Sequence, residues 1–372
     1  MPESLTALSG QLSGQPFWQL FWRPLWPAAA AAVLAVAIIV VMRTTGWGSG
    51  VLDEPNARSM HGAPVPRTGG IALIGALLTV ALVQTVLPRQ AAADWPSAWL
   101  LLGLPTLALG LLGAVDDRRG LPVRVRLPLQ LAAALPVAWT LAGGAVPAPA
   151  AGPMLAGATL LFMLAIGWST NLYNFMDGID GLAGTMTVVG FGTLAIACPA
   201  GSSLQVLAAA AAGAAAGFLL FNRPPARIFL GDAGSIPLGF LAAGIGLLGW
   251  HHGYWPIWFA PIVFLPFVCD ASLTLALRLL RGERVWTAHR EHAYQKLALL
   301  GLGHGATTAV YGALMLACAA VALTARTWSA GAGSAAIAAI IALHVLGYGW
   351  AASRWHRRQK RQHTISSGTV RR

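Results

Sequence analysis

The chain has 372 residues, of which 56% are hydrophobic and only 10% are charged, and its mean hydropathy is +0.65. Soluble domains are roughly 45–50% apolar and about 25% charged, so this composition excludes a water-soluble globule and a disordered chain, while three cysteines in apolar runs exclude a disulfide scaffold. The net charge of +12 is typical of a nucleic-acid-binding protein or of a membrane protein with basic cytoplasmic loops, and the hydropathy favours the second. We therefore predict an all-α polytopic membrane protein with no nucleic acid partner.

Eleven apolar stretches predict membrane helices, because a helix needs about 20 residues to cross a hydrocarbon core about 30 Å thick. The stretches cover approximately residues 26–42, 70–87, 98–115, 127–142, 154–169, 182–199, 204–221, 236–250, 256–280, 306–325 and 332–352. The predicted fold is an integral membrane helical bundle with about 11 transmembrane helices. We expect a transmembrane domain at 26–353, an N-terminal interfacial segment at 1–25 and a basic cytoplasmic tail at 354–372.

Basic and acidic residues both gather in the loops of one membrane face. Threading the chain alternately through the membrane puts residues 43–69, 116–126, 170–181, 222–235, 281–305 and 353–372 on that face. The face holds every Lys and Arg except Arg23, Arg89 and Arg326, if Arg278 is counted with the adjoining helix end. The positive-inside rule then makes this face cytoplasmic, with the N-terminus outside and the C-terminus inside. Acidic residues follow no such rule, so the carboxylates that these separate loops share predict a cation site.

The first two charged loops carry a cationic turn and a pair of acids. Arg67 lies in a turn rich in Pro and Gly at 64–70, whose backbone N–H groups could hold a phosphate, although a plain surface loop is the alternative. Asp116 and Asp117 follow the third apolar stretch, and adjacent carboxylates repel each other unless a cation or a shared proton offsets the charge. Mg²⁺ suits such a pair because it binds carboxylate oxygens together with substrate phosphate oxygens. Neutralisation by the two arginines that follow is the alternative.

Two amides and two carboxylates, Asn171, Asn174, Asp177 and Asp180, recur every third residue after the fifth apolar stretch. A step of three keeps neighbouring side chains on adjoining faces of a helix, and the interleaved glycines allow a ligand to approach the backbone. The alternative is a polar helix end that meets water. The loop is too short for a spacer, however, and neither aspartate has a cationic partner nearby in sequence. We therefore expect a ligand-binding loop here.

The loop before the eighth stretch combines two prolines with Asp232, an acid flanked by glycines. Capping of the following helix explains Asp232 adequately. Capping does not explain why the aromatic Phe229 lies in a polar loop. An aromatic ring at such a position suits stacking on a nucleobase.

The last large loop holds His289, Arg290 and His292, which form a cationic cluster suited to a diphosphate. Their spacing does not provide a complete set of zinc ligands, and no cysteine thiolate lies nearby in sequence. Asp270 is separate, because a carboxylate inside a membrane span is costly. A helix-to-helix hydrogen bond and a catalytic role are both open for it.

Together these residues predict acids for Mg²⁺, cations for a diphosphate and an aromatic ring for a base, which is a phosphoryl-transfer site with one lipid-embedded substrate. In order, the motifs PRTGG at 66–70, DD at 116–117, NLYNFMDGIDGLAG at 171–184 and PARIFLGDAGS at 225–235 resemble the polyprenyl-phosphate N-acetylhexosamine-1-phosphate transferases of glycosyltransferase family 4. Phe175-Met176 and the HREHAYQ loop at 289–295 resemble the members that initiate O-antigen or other surface glycans more than the muramoyl-pentapeptide transferases.

The resemblance implies transfer of a HexNAc-type sugar 1-phosphate from a UDP-sugar to undecaprenyl phosphate, with release of UMP, with Mg²⁺ as cofactor and with Mn²⁺ as an alternative. It implies a bacterial cytoplasmic (inner) membrane protein whose site faces the cytoplasm among membrane lipids, and it leaves a homodimer open. By motif, it implies that Asp116, Asp117 and Asp232 are catalytic and bind the metal. The substrate-binding residues that it implies are Arg67, Asn171, Asn174, Asp177, Asp180, Asn222, Phe229, His289, Arg290 and His292.

Two rival functions stay open at this point, a phospho-N-acetylmuramoyl-pentapeptide transferase of peptidoglycan synthesis and a membrane transporter. Transporters place their binding groups near the membrane midplane, whereas these acids lie at one surface. Two mechanisms also stay open, direct attack by the lipid phosphate and a two-step route through a covalent intermediate on an acid. All of this requires Asp117 and Asp232 to lie close together.

Overall fold

The computed structural model describes residues 17–47, 51–53, 64–86, 95–146, 152–284, 287 and 289–369, without the side chains of residues 17–24, 85, 86, 95, 96 and 361–369. Residues 1–16 of the predicted interfacial segment, much of the first predicted loop and residues 370–372 of the predicted tail lie outside this description. From residue 17 the chain is already helical and continues into the first span without a break.

Helices make up nearly all of the described chain. In chain order they are α1 (Phe17–Thr45), α2 (Gly69–Val86), α3 (Trp95–Ala98), α4 (Leu104–Arg119), α5 (Val123–Ala145), α6 (Pro153–Phe175), α7 (Leu182–Ala197), α8 (Ser203–Asn222), α9 (Asp232–His251), α10 (Phe259–Val263), α11 (Leu265–Leu280), α12 (Ala293–Leu297), α13 (Gly303–Ala325) and α14 (Ala330–Thr369). A π-helical turn at Trp99–Gly103 joins α3 to α4, and another at Ala298–Leu302 joins α12 to α13.

The described helices confirm the polytopic all-helical fold class. Eight of them are long and apolar enough to cross a membrane, and two shorter apolar helices cover Gly69–Gln84 and Leu182–Ala197. The predicted span 256–280 is not one continuous helix, because α10 ends at Val263 and α11 begins at Leu265. Pro266 at the start of α11 has no N–H to donate to the preceding turn, which explains the interruption. The number of eleven spans and the orientation in the membrane stay predictions.

Two helices are buried on most sides and form the centre of the bundle. Helix α8 packs against α1, α2 and α7, and its many alanines let these helices approach closely. Helix α9 packs against α4 and α6. The N-terminus of α9 therefore lies between the C-terminal ends of α4 and α6, so that the acids predicted at those ends meet Asp232.

The loops that were predicted to share one membrane face lie together at one end of the bundle. A two-stranded antiparallel sheet joins β1 (Leu52–Asp53) to β2 (Val65–Pro66). The backbone of Phe229 continues this sheet, since its N–H donates to the Pro66 carbonyl at 2.8 Å and its carbonyl accepts from the Gly69 N–H at 2.9 Å. At the same end Arg358 of α14 donates to the Leu299 carbonyl at 2.5 Å. Which side of the membrane this end occupies stays a prediction.

Candidate active site

The two acids on which the predicted site depends are in direct contact. The carboxylate of Asp117, at the end of α4, accepts hydrogen bonds from the backbone N–H groups of Asp232 and Ala233, both at 3.0 Å. These N–H groups begin α9 and have no partner within their own helix, and the positive end of a helix favours a negative charge. Asp117 and Asp232 therefore converge as the sequence analysis requires, although they are far apart in sequence.

Arg126 joins the other paired acid to this cluster. Its Nη1 lies 3.1 Å from Oδ2 of Asp232 and forms a close ion pair with Oδ2 of Asp116. Asp116 is buried, and its second oxygen accepts from the Leu121 N–H at 2.6 Å. Carboxylates that are held together in a partly dehydrated site require a cation to offset their repulsion. The guanidinium of Arg126 provides that positive charge.

Sequence reasoning missed Arg126 and counted it only as one of the basic loop residues. The short turn 120–122 between α4 and α5 brings the first turn of α5 back beside the end of α4, so that Arg126 lies level with Asp116. An arginine in the first turn of an apolar helix that follows a DD pair is the signal that could have found it.

The predicted amides on α6 have different partners. The Asn174 amide nitrogen donates to Oδ1 of Asp232 at 2.7 Å and to the Ser235 hydroxyl at 2.9 Å, so Asn174 belongs to the acid cluster. Asn171 lies about one turn earlier on the helix, and its amide nitrogen donates to Gln130 Oε1 and to the Gly167 carbonyl, both at 2.8 Å. Asn171 therefore connects α6 to α5, and its substrate-binding role stays a prediction.

Asp177 and Arg67 complete the electrostatics of the cluster. Burial raises the pKa of Asp177 well above its usual value, and the carboxylates of Asp232 and Asp117 add to this rise, whereas the charge of Arg67 opposes it. Nε of Arg67 also lies 3.3 Å from Asp53 Oδ2, while the Arg67 side chain is 41% exposed. The guanidinium is thus held beside the acids and remains accessible to a ligand.

Gly231 is required where these groups meet. Its φ of +69° lies in the left-handed region that side chains other than glycine rarely adopt. A Cβ at this position would lie 2.7 Å from Asp117 Oδ2 and 2.9 Å from the Arg67 carbonyl oxygen. The glycine in the GDAGS motif therefore lets the chain turn into α9 directly against Asp117.

Asp180 and Asn222 hold the loop that carries Phe229 and Asp232. Asp180 accepts from the Ala226 N–H at 3.0 Å, and its other oxygen lies 3.1 Å from Nδ1 of His304. Asn222 is buried, accepts from the Gly181 N–H and donates to the Ile228 carbonyl, both at 2.9 Å. The structure therefore gives both side chains protein partners within the loop. Their predicted contacts with a nucleotide, and the stacking of a base on the partly buried Phe229, stay predictions.

The histidine-containing loop is more buried and less cationic than the sequence suggested. His292 is buried, and its ring stacks against Phe175, with centroids 6.4 Å apart, and against Tyr294, with centroids 5.6 Å apart. Burial lowers the pKa of His289 to about 4, and the neighbouring His292 and Arg278 reinforce that shift. His289 is therefore an uncharged imidazole at neutral pH, so the expectation of a cation at this position needs correction. It still offers a hydrogen-bonding group to a diphosphate.

The same loop is held by an ion-pair network. Arg278, which is buried, lies 3.0 Å from Glu283 and contacts Glu291, while Arg281 lies 2.6 Å from Glu283 and also contacts Glu291. These two arginines lower the pKa of Glu291 and keep it ionised. Much of the positive charge that the sequence places in this loop is thus neutralised by the loop's own acids.

The chemistry of the acid cluster fits a divalent cation. Within the described residues no group of three His, Cys, Asp or Glu side chains forms a preassembled metal cage. Mg²⁺ does not need one, since it keeps several waters and commonly binds only one or two carboxylates together with substrate phosphates. Asp116, Asp117 and Asp232 supply such oxygens, and the Asn174 amide orients Asp232. The donor set is all oxygen, which suits Mg²⁺ better than zinc, whose protein ligands are mainly Cys and His.

An apolar cavity of about 230 Å³ lies between α6, α9, α10 and α11. On α9 its lining starts at Ala242, about 15 Å along the helix from Asp232, and on α6 it includes Tyr173. The other residues that line it are Ala165, Trp168, Ser169, Leu172, Ala243, Gly246, Leu247, Ile257, Ala260, Pro261, Phe264 and Val268. The lining of this cavity is apolar and suits a hydrocarbon chain.

Comparisons with known proteins identify the family to which this chain is similar. The model of the family described as Glycosyl transferase family 4 matches residues 99–249, which contain all three predicted metal-binding acids. A Bacillus subtilis protein named a probable undecaprenyl-phosphate N-acetylglucosaminyl 1-phosphate transferase is 28% identical over 73% of this chain and 76% of its own length. The phospho-N-acetylmuramoyl-pentapeptide-transferase of Corynebacterium diphtheriae is 34% identical over 54% of this chain and 69% of its own. That of Picosynechococcus sp. is 30% identical over 67% of this chain and 69% of its own.

Proposed function

Because this chain belongs to glycosyl transferase family 4, we propose that it transfers a HexNAc-type sugar 1-phosphate from a UDP-sugar to undecaprenyl phosphate and releases UMP. The observation that carries the proposal is the convergence of Asp116, Asp117 and Asp232 with Arg126 at one end of a bundle of apolar helices. A water-soluble nucleotide sugar and a membrane-embedded lipid phosphate can meet only where such a polar cluster borders the hydrocarbon region.

The proposed reaction needs little covalent chemistry from the protein. An oxygen of the lipid phosphate forms a bond to the β-phosphorus of the UDP-sugar, the bond from that phosphorus to the bridging oxygen breaks, and UMP leaves with the electron pair. A phosphate monoester has a second pKa of about 6, so the nucleophile is largely dianionic at neutral pH and no general base is essential. The chain's task is to hold two anions together and to offset their repulsion.

Each part of the cluster has a place in this scheme. Asp116, Asp117 and Asp232 would hold Mg²⁺, which when bound offsets the charge of the diphosphate and of the departing UMP. Arg67, which is accessible beside the acids, would bind a phosphate, and Asn174 keeps Asp232 in position. The ring of Phe229 would stack on the uracil. A covalent intermediate on one of the acids is the alternative route, and release of UMP without lipid acceptor would favour it.

The identity of the donor sugar distinguishes two candidate reactions. The Phe175-Met176 pair and the HREHAYQ loop support a HexNAc donor for surface glycans of the O-antigen type, as does the similarity to the Bacillus subtilis relative. The similarity to several phospho-N-acetylmuramoyl-pentapeptide-transferases supports UDP-MurNAc-pentapeptide as donor. A transporter is disfavoured, because the acids contact one another at one end of the bundle instead of near its middle.

One assay tests the proposal. Bacterial membranes that contain the protein are incubated with Mg²⁺, undecaprenyl phosphate and labelled UDP-GlcNAc, UDP-GalNAc, UDP-QuiNAc, UDP-FucNAc or UDP-MurNAc-pentapeptide. We expect one donor to label the organic phase, and Asp232→Asn to abolish the label while the variant accumulates normally in the membrane. If no donor labels the lipid, the proposed function is wrong. If only UDP-MurNAc-pentapeptide does, the peptidoglycan reaction is the correct one.

A further inference from the structure

Asp270 of α11 is a buried carboxylate, 3% exposed, with an unusually complete set of hydrogen-bond donors around it. It accepts from the backbone N–H groups of Ala293 at 2.8 Å and Tyr294 at 3.0 Å, from the Tyr311 hydroxyl at 2.5 Å and from the Thr274 hydroxyl at 3.2 Å. Nδ1 of His292 lies 3.4 Å from its Oδ1 without forming a hydrogen bond to it. A buried carboxylate is stable only when donors replace its water, and the four hydrogen-bonding groups do so.

The chemistry of this shell requires a carboxylate. All four hydrogen-bonding partners donate, whereas an ionised carboxylate only accepts. An amide at the same place would turn an NH₂ group toward one or more of these donors. Three of the five neighbouring groups, His292, Ala293 and Tyr294, belong to the segment that follows the cytoplasmic loop, and not to the membrane helices that flank Asp270. The carboxylate thus holds that segment more than it joins helix to helix.

The segment that Asp270 holds lies directly on the acidic loop of the site. The Tyr294 hydroxyl donates to the Phe175 carbonyl at 3.0 Å, and a Cβ at Gly178 would lie 2.0 Å from the same hydroxyl. The His292 ring stacks between Phe175 and Tyr294, with interplanar angles of 27° and 18°. A displacement of His292 or Tyr294 would therefore move the loop that carries Asp177, and it would move His289, whose ring centroid is 5.0 Å from that of His292.

We infer that Asp270 is a positioning residue for donor binding, which docks residues 289–294 against the acidic loop so that His289 and Arg290 face the diphosphate of the nucleotide sugar. This inference rests on the proposed function. Within the described residues, Asp270 forms no hydrogen bond or ion pair with Asp116 or Asp232, and it is not among the residues that line the apolar cavity. Its loss should consequently weaken binding of the UDP-sugar and leave binding of the lipid acceptor unchanged.

The test compares Asp270→Asn with wild type in the full-length protein, with kinetics measured separately for each substrate. Hydrogen bonds to a buried charge are strong enough that their loss raises the KM for the UDP-sugar by about tenfold or more, while the KM for undecaprenyl phosphate changes by less than about twofold. Tyr311→Phe removes one donor of the shell and should show the same split at about threefold. This milder variant serves if Asp270→Asn does not accumulate in the membrane.

A matched control separates positioning from general damage. Gln205 is buried in the first turn of α8, accepts from the Gly201 N–H and donates to the Ala195 carbonyl. Gln205→Leu therefore loses buried hydrogen bonds away from the segment, and it should lower thermal stability without the KM split. The inference would be overturned if Asp270→Asn raised the KM values for the two substrates equally. It would also be overturned if the KM for the UDP-sugar were unchanged in both Asp270→Asn and Tyr311→Phe.

Trypsin provides a readout that does not depend on activity. Arg281, Arg284 and Arg290 lie in or beside the loop that precedes the docked segment, and the first two are exposed. We expect Asp270→Asn to be cleaved there several times faster than wild type, and Gln205→Leu to be cleaved at the wild-type rate. Cleavage of Asp270→Asn at the wild-type rate contradicts the docking. If instead cleavage accelerates but no donor is ever used by wild type, the proposed function fails and the docking stands.

Discussion

Replacement of Arg126 by Gln tests the electrostatics of the acid cluster most directly. The substitution removes the charge that contacts both Asp116 and Asp232 and leaves a shorter, uncharged polar side chain. Loss of one partner from a buried ion pair costs about 3–5 kcal/mol. Because the Arg126 side chain is 28% exposed, screening by water reduces the expected loss of unfolding free energy to about 2–3 kcal/mol.

A cation that binds the carboxylates should compensate for the missing guanidinium. We therefore expect Arg126→Gln to unfold several degrees below wild type in EDTA, and Mg²⁺ to raise its Tm by more than it raises that of wild type. The measurement is thermal unfolding in detergent, followed by tryptophan fluorescence with and without Mg²⁺. Arg124→Gln, an exposed position in the same helix turn, is the control. Equal Tm values for the two variants in EDTA, or equal shifts with Mg²⁺, would refute the reasoning.

Three further outcomes follow from the site. Gly231→Ala should reduce kcat by at least tenfold, because its Cβ would meet Asp117 in a left-handed backbone conformation. Gly253→Ala is the control, since Gly253 has a similar φ of +73° but open space around it, and this variant should retain activity. Equal activity of the two variants would contradict the role of Gly231. In the folded protein the pKa of His289 is lowered to about 4, so the free energy of unfolding should fall as the pH drops from about 6.5 toward 4. His289→Asn should show a shallower fall in the same pH window. Parallel pH profiles of the variant and wild type would exclude this contribution. Removal of divalent cations with EDTA should stop the transfer and Mg²⁺ should restore it, and full activity in excess EDTA would exclude a metal at Asp116, Asp117 and Asp232.

The membrane fold follows from features that are local in the sequence. Apolar stretches predict helices because each must satisfy its own backbone hydrogen bonds in a lipid environment. Charged loops predict which segments share a face, and contacts such as that between Phe229 and Pro66 agree with this grouping. The interruption at Phe264 was not predicted, because the hydropathy of 256–280 is continuous and only the prolines within it indicate a break.

The candidate site shows the same division. Asp116, Asp117, Asn174 and Asp232 could be chosen from their motifs, since acids and amides beside glycines at a membrane surface have few structural uses. Arg126 was missed, because its position in the first turn of the helix after the DD pair gains its meaning only when that turn packs beside α4. Its role depends on the turn that brings α5 back beside α4.

The sequence by itself determined the class of fold, the face on which the charges gather and the chemical types available for a phosphoryl-transfer site, because hydropathy and charge act on each segment separately. Only the tertiary structure decided how each polar group is used. Packing of α9 between α4 and α6 brings Asp232 to Asp117. Other contacts between distant segments bond Asp180 to Ala226, Asn222 to Gly181 and Asp270 to Ala293. A carboxylate takes its role from the donors that reach it in space, and those donors come from distant parts of the chain.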